Sequence, residues 1–280
     1  MKKQQLILSA GGLVLLVLLY FFGNTIPPVS TENQQSTTNQ PTTKGNSTNV
    51  LAAAKQSLTA QQSEQITQLE NSVVRGDVKE QQIRVYNQLA HYWQDSLQRA
   101  DIGTYYLGEA AKLENSEKSL NFAARLMLNQ VMSGSDAATI TWVAKNAKAL
   151  YDKVLEINPA NDSAKVELGA CYLFGAISEM PMEGIQKIKE VLAKDSTNMY
   201  AELMLGLADI RSQQYDKAIE RLEKVAKNEP HNIQAIFNLA ESYERKGDKA
   251  NAIKWYKVVQ NHIDVPAAKQ ELEERINSLK

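Results

Sequence analysis

The chain has 280 residues, 43% hydrophobic and 22% charged, and its 31 basic residues against 32 acidic ones leave a formal charge of −1. That balance supplies a sizeable core and excludes the global basic field that nucleic-acid binding leaves, so no nucleic-acid partner is expected. One cysteine, Cys171, excludes an internal disulfide and any cysteine-rich metal motif.

Residues 1–5 make a short tail carrying Lys2 and Lys3, and residues 6–26 (LILSAGGLVLLVLLYFFGNTI) contain no charge. A helix rising about 1.5 Å per residue needs roughly 20 such residues to cross a bilayer core, so 6–26 reads as a transmembrane signal anchor. The next basic residue after it is Lys44. This lysine asymmetry places the tail in the cytoplasm and the rest of the chain on the periplasmic, or otherwise extracytoplasmic, side. A cleaved signal peptide is the competing reading, but the apolar run exceeds the usual span of roughly 7–15 residues and no A-x-A site follows it. No cysteine follows that would make a lipoprotein signal. Residues 27–58 begin PPVSTENQQSTTNQPTTKGNSTN, with almost nothing apolar to bury, and read as a disordered linker. A flexible coil of that length has a reach of roughly 25–30 Å.

From residue 59 onward apolar residues recur at helical spacing. Helices are expected near 59–74, 78–96, 99–114, 117–132, 136–157, 162–175, 182–195, 199–212, 215–228, 233–246, 249–261 and 266–279. Breakers separate them: Arg75-Gly76-Asp77, Gly134, Asn158-Pro159, Pro181, Glu229-Pro230, Gly247-Asp248 and Pro266. No alternating run of useful length appears, so the fold class is all-α.

The pattern repeats. Residues 200–230 align without a gap on 234–264 at a period of 34, pairing Leu205 with Leu239, Gly206 with Ala240, Ala218 with Ala252, Leu222 with Tyr256 and Val225 with Val259. Small residues fall where two helices of a hairpin must approach, and larger ones fill the space beside them. A longer copy upstream carries Leu168, Gly169 and Tyr172 on one helix and Gly184, Ile188 and Val191 on the next.

This pattern resembles the tetratricopeptide repeat family: a Leu-Gly pair and an aromatic on the first helix, an alanine and an aromatic on the second, then a proline, as in Tyr243, Ala252, Tyr256, Pro230 and Pro159. The resemblance implies three repeats over 162–264 (162–198, 199–232 and 233–264), stacked as a right-handed superhelix of helical hairpins. Residues 59–161 look like degenerate hairpins, with Leu89, Ala90, Trp93, Tyr106, Ala110 and Leu113 in one and Leu120 to Leu155 in another. Residues 265–280 are expected to cap the stack through a helix with Lys269, Glu273, Glu274 and Asn277 on its polar face. Asp209 departs from the family's aromatic, and Ser196 and Asp264 from its closing proline.

Catalysis finds no candidates. His91, His231 and His262 lack any paired-ligand spacing, Cys171 reads as a buried structural thiol, and no nucleophile elbow, phosphate loop or dinucleotide fingerprint occurs. No enzyme, cofactor or metal is expected. By resemblance, the inner groove is lined by Val166, Ala170, Leu173, Tyr200, Leu203, Leu207, Ile210, Phe237, Glu241 and Glu244. The first seven are nearly all apolar, and such a stripe is either a partner site or a self-covered surface. The family's clamp for a terminal carboxylate needs Lys, Asn and Arg, whereas Leu203, Leu207 and Val166 stand in such places here. The expectation is a membrane-anchored scaffold for a protein or peptide partner. The alternatives are a homodimer joined through the apolar stripe and, by likeness of architecture, a periplasmic assembly factor for secretion or cytochrome maturation.

Overall fold

A computed structural model describes residues 47–75, 78–134, 136–177 and 181–280, all within one compact unit, Thr42–Lys280. The tail at 1–5, the anchor at 6–26 and the linker as far as residue 46 lie outside the described residues. Among the described residues no helix is long and apolar enough to cross a membrane, and no strand occurs.

Thirteen α-helices follow one another among the described residues: α1 (Ser47–Gln56), α2 (Ala60–Arg75), α3 (Lys79–His91), α4 (Ala100–Glu114), α5 (Glu117–Ser133), α6 (Ala137–Ile157), α7 (Asp162–Phe174), α8 (Met182–Lys194), α9 (Met199–Arg211), α10 (Tyr215–Asn228), α11 (Ile233–Lys246), α12 (Lys249–His262) and α13 (Pro266–Leu279). One turn of π-helix, Tyr92–Ser96, extends α3. Of the linker expected over 27–58, residues 47–56 are helical instead. Residues 47–56 are helical because VLAAA offers an apolar face, and Ala54 buries it where α1 packs on α6.

Helix starts are written locally. Asn161, Asn198 and Asn232 precede α7, α9 and α11, and each side-chain oxygen accepts from a backbone N–H three residues on, in Ala164, Ala201 and Ala235, at 2.8, 2.9 and 3.0 Å. One of the donors left unpaired at the start of every helix is thereby satisfied. Ser116, Asp136 and Asp248 do the same for α5, α6 and α12. Gly247 closes α11 at φ 89°, a left-handed conformation that costs glycine nothing.

Five helix pairs, α3/α4, α5/α6, α7/α8, α9/α10 and α11/α12, pack as hairpins, and each pair also packs on the next. The close approach is tightest in the third hairpin. A methyl group placed on Gly169 would sit 2.6 Å from Ile188 and 2.8 Å from the Gly184 carbonyl, and one on Gly184 would sit 2.5 Å from the Gly169 carbonyl. Beside these small residues Trp93, Tyr151 and Tyr256 fill the interior, each fully buried. Burying a large side chain of this kind contributes on the order of 2–3 kcal/mol.

The first and last helices are fixed by polar contacts as well. Glu70 on α2 accepts from Lys55 of α1 at 2.8 Å and from the Tyr106 hydroxyl of α4. At the far end α13 buries Leu272, Ile276 and Leu279, and Arg275 pairs with Glu244 of α11 at 2.8 Å.

Candidate functional site

The first helices of the hairpins, α5, α7, α9 and α11, line one side of the stack, and α7 packs directly on both α5 and α9. That packing decides which of their side chains remain open. Val166 and Ala170 are fully buried, Leu203 is 3% exposed and Leu173 9% exposed. As partner-binding groove residues these four are therefore corrected: the chain itself covers them, with Leu173 packed beside Gly184 of α8. Tyr200, Leu207, Ile210, Phe237, Glu241 and Glu244 are half-buried.

Several of the half-buried six are engaged within the chain. Phe237 meets Tyr256 edge-on at 5.8 Å and lies 5.7 Å beneath the Arg275 guanidinium. Glu244 takes the ion pair with Arg275 and accepts from the Tyr256 hydroxyl at 2.6 Å, while Glu241 pairs with Arg245 at 2.7 Å. Leu207 differs, since it forms part of the wall of a cleft.

This cleft holds about 580 Å³ and gathers residues from five helices and the turn after α7. Val131 and Met132 come from the end of α5, Ala137 and Ile140 from the start of α6, Phe174 from the end of α7 with Ala176 after it, Leu207 and Arg211 from α9, and Gln234 and Asn238 from α11. Arg211 is the cation among these lining residues, with Nη1 donating at 3.2 Å to the carbonyls of both Leu173 and Phe174. Those carbonyls end α7, where a positive charge is favoured by the helix dipole. An apolar floor, a cation and two side-chain amides make a surface suited to an apolar anchor residue held among polar backbone groups. Of its lining residues only Leu207 belongs to the sequence-derived set. Most of the others were missed because they arrive from helix ends and from the degenerate hairpin, where repeat spacing carries no information, and Asn238 because a polar residue on α11 does not mark an apolar stripe. Phe174, apolar at the last turn of α7 and one residue beyond Leu173 of the expected stripe, carried no repeat signal of its own.

Two further polar clusters tie helices together. Glu167 on α7 is 2% exposed and accepts from Arg125 Nε of α5 at 2.7 Å, which ties the second hairpin to the third. Around it, burial raises the hydroxyls of Tyr151 and Tyr200 and the thiol of Cys171 above their ordinary values, with the Glu167 charge adding to the effect. A thiol so placed is held protonated. In the fourth hairpin Arg221 of α10 bonds Glu202 at 2.5 Å and Asp209 at 3.0 Å, both on α9. Asp209 thus replaces the family's aromatic with half of an ion pair. A larger hollow of about 680 Å³ separates α1 from the start of α6, but its walls are mostly small residues such as Ala53, Ala137 and Ala138. Among the described residues no group of three or more His, Cys, Asp or Glu gathers to hold a metal ion.

Residues 203–266 match the family model of the tetratricopeptide repeat. No curated protein matches the chain. Among solved structures, a thermophilic tetratricopeptide repeat protein of Thermus thermophilus is 17% identical, with 70% of this chain and 98% of that one covered at a TM-score of 0.50. PilW, a type IV pilus biogenesis factor, is 19% identical over 70% and 85% of the two chains at 0.49, and MamA from Desulfovibrio magneticus RS-1 is 23% identical over 67% and 96% at 0.43. At these identities the likeness concerns the fold. Residues 203–266 are thus similar to the tetratricopeptide repeat family, and the helical stack around them shares the fold of a solved tetratricopeptide repeat protein.

Proposed function

We propose that this chain is a scaffold that holds a protein or peptide partner in the cleft between α5, α6, α7, α9 and α11, and that residues 6–26 anchor it in a membrane with the repeats on the extracytoplasmic side. The observation that carries the reading is the cleft itself. It gathers on the first helices of the hairpins, with an apolar wall of Ile140, Phe174 and Leu207 beside Arg211, while Val166, Ala170, Leu173 and Leu203 of the sequence-derived stripe are buried and Phe237, Glu241 and Glu244 are engaged within the chain. Tetratricopeptide repeat proteins bind protein or peptide partners, and an apolar anchor seated beside a cation is a usual way to hold one. The anchor is supported by the uncharged run at 6–26 and the lysines before it.

One experiment tests both parts. A photoreactive residue replaces the exposed Gln234, and crosslinked adducts of the full chain are followed through membrane fractionation with and without Leu207→Glu. The adduct is expected in the membrane fraction, released by detergent but not by salt, and lost in the Leu207→Glu protein while its helical melting is kept. An adduct that survives Leu207→Glu places the partner elsewhere, and a full chain found in the soluble fraction removes the anchor.

A further inference from the structure

The histidines show no ligand spacing in sequence, but folding brings two of them together. His231 follows Pro230 in the turn between α10 and α11, and His262 is the last residue of α12. Because α11 and α12 run in opposite directions, the start of one lies beside the end of the other. The two rings have centroids 5.5 Å apart and planes inclined at 61°. They occupy the open end of the last hairpin, opposite its turn at Gly247-Asp248.

The His262 ring is oriented by the backbone, with Nδ1 bonded to the carbonyl of Val258 at 2.8 Å. A carbonyl oxygen only accepts, so in the neutral ring Nδ1 holds the proton and Nε2 keeps its lone pair. This is how metal-binding histidines are held: one ring nitrogen donates to a carbonyl, which fixes tautomer and direction, and the other is left for the ion. The ring separation agrees. Two imidazole nitrogens about 2.0–2.1 Å from one ion, at a tetrahedral angle, set their ring centroids roughly 5 Å apart. His231 is exposed and His262 half-buried, so an ion reaches them from solvent.

We propose that His231 and His262 form a two-histidine site for a divalent transition metal ion that prefers imidazole, of the Zn²⁺, Ni²⁺ or Cu²⁺ class. Mg²⁺ and Ca²⁺ are excluded by the donor set, since they require oxygen ligands. The remaining coordination positions are taken by water or by a side chain of a bound partner. Bound metal clasps the hairpin of α11 and α12 at its open end and so stabilises the repeat next to the capping helix α13.

The test uses the full chain without an affinity-tag histidine. Isothermal titration with Zn²⁺ and thermal unfolding in its presence are expected to show one bound ion and a raised melting temperature, because a ligand that binds only the folded state stabilises it. His231→Ala is expected to abolish both effects, while His91→Ala keeps both and Mg²⁺ produces neither. His262→Ala is expected to match His231→Ala. Should it fail to fold, His231→Ala decides, since that ring is exposed and its removal breaks no hydrogen bond among the described residues. A melting temperature indifferent to Zn²⁺ in the native chain means that the rings merely touch. A Zn²⁺ response retained in His231→Ala places the metal elsewhere. Either result overturns the site.

Discussion

Gly169 marks the point where two helix backbones touch, and the cost of a side chain there is readable from what stands in the way. An added methyl meets the Gly184 carbonyl at 2.8 Å, and backbone does not swing aside as a side-chain tip does. Gly169→Ala is therefore expected to lose about 1–3 kcal/mol of stability by overpacking, measured as a lower denaturant midpoint. Gly206 provides a contrast in the neighbouring hairpin. A methyl there meets the Leu222 side chain at 3.0 Å, which can turn away, so Gly206→Ala is expected to cost less than Gly169→Ala. If the two losses are equal, the backbone contact between α7 and α8 is not what constrains Gly169.

At the scale of single helices, α4 carries two adjacent tyrosines with different neighbours. Tyr106 is buried against Tyr86 and Glu70, while Tyr105 is half-buried between Tyr106 at 5.2 Å and Trp142 of α6 at 5.3 Å. Burial, reinforced by the Glu109 charge, pushes the Tyr105 phenol from its ordinary 10 up to about 12. A phenol whose folded value is raised holds its proton more tightly in the folded state. Its contribution is therefore complete below pH 10 and is lost as pH rises from about 10 through 12. The melting temperature is expected to fall across that window, and Tyr105→Phe to make the fall shallower. An unchanged slope means that Tyr105 is solvated.

Elements were the most legible level of the sequence, and for local reasons. Asparagine, aspartate or serine before a helix acts within one turn, so the starts of α5, α6, α7, α9, α11 and α12 follow from neighbouring residues alone. Two features escaped. The helix α1 has only a narrow apolar face, and its helicity depends on docking to α6. The π-helical turn at Tyr92–Ser96 arises where Trp93 buries its ring, a packing demand that periodicity does not express. The cleft was legible only at Leu207, because whether a first-helix residue is open or buried depends on how consecutive first helices seat against each other. Val166 and Phe174 lie eight residues apart on α7, yet one is fully buried and the other lines the cleft. Likewise, His231 and His262 are 31 residues apart in sequence, and only the antiparallel hairpin makes them neighbours.

At the scale of the whole molecule, each hairpin leans on its neighbours, so the end of the stack is held from one side only. There Arg275 of α13 lies 4.9 Å over the ring of Tyr256 and 5.7 Å over Phe237 while paired with Glu244. Arg275→Ala is expected to cost α13 about 1–2 kcal/mol of docking free energy, from the lost cation–π contacts and the unpaired Glu244. Amide hydrogen exchange in α13 is then expected to quicken roughly tenfold per 1.4 kcal/mol, while α3 to α6 stay unchanged. Equal quickening along the whole chain defeats the view that the cap unfolds on its own.

Asn161, Asn198 and Asn232 also bear on how such a chain comes to be folded. Each satisfies the opening turn of its own helix with a bond spanning three residues. Helix initiation is therefore not borrowed from a distant partner but happens separately at three places along the chain. A polypeptide with these start sites needs little long-range search, since the contacts that follow initiation are between neighbours in sequence. During synthesis each hairpin is able to close before the next one exists, and a hairpin already closed presents the surface on which its successor settles.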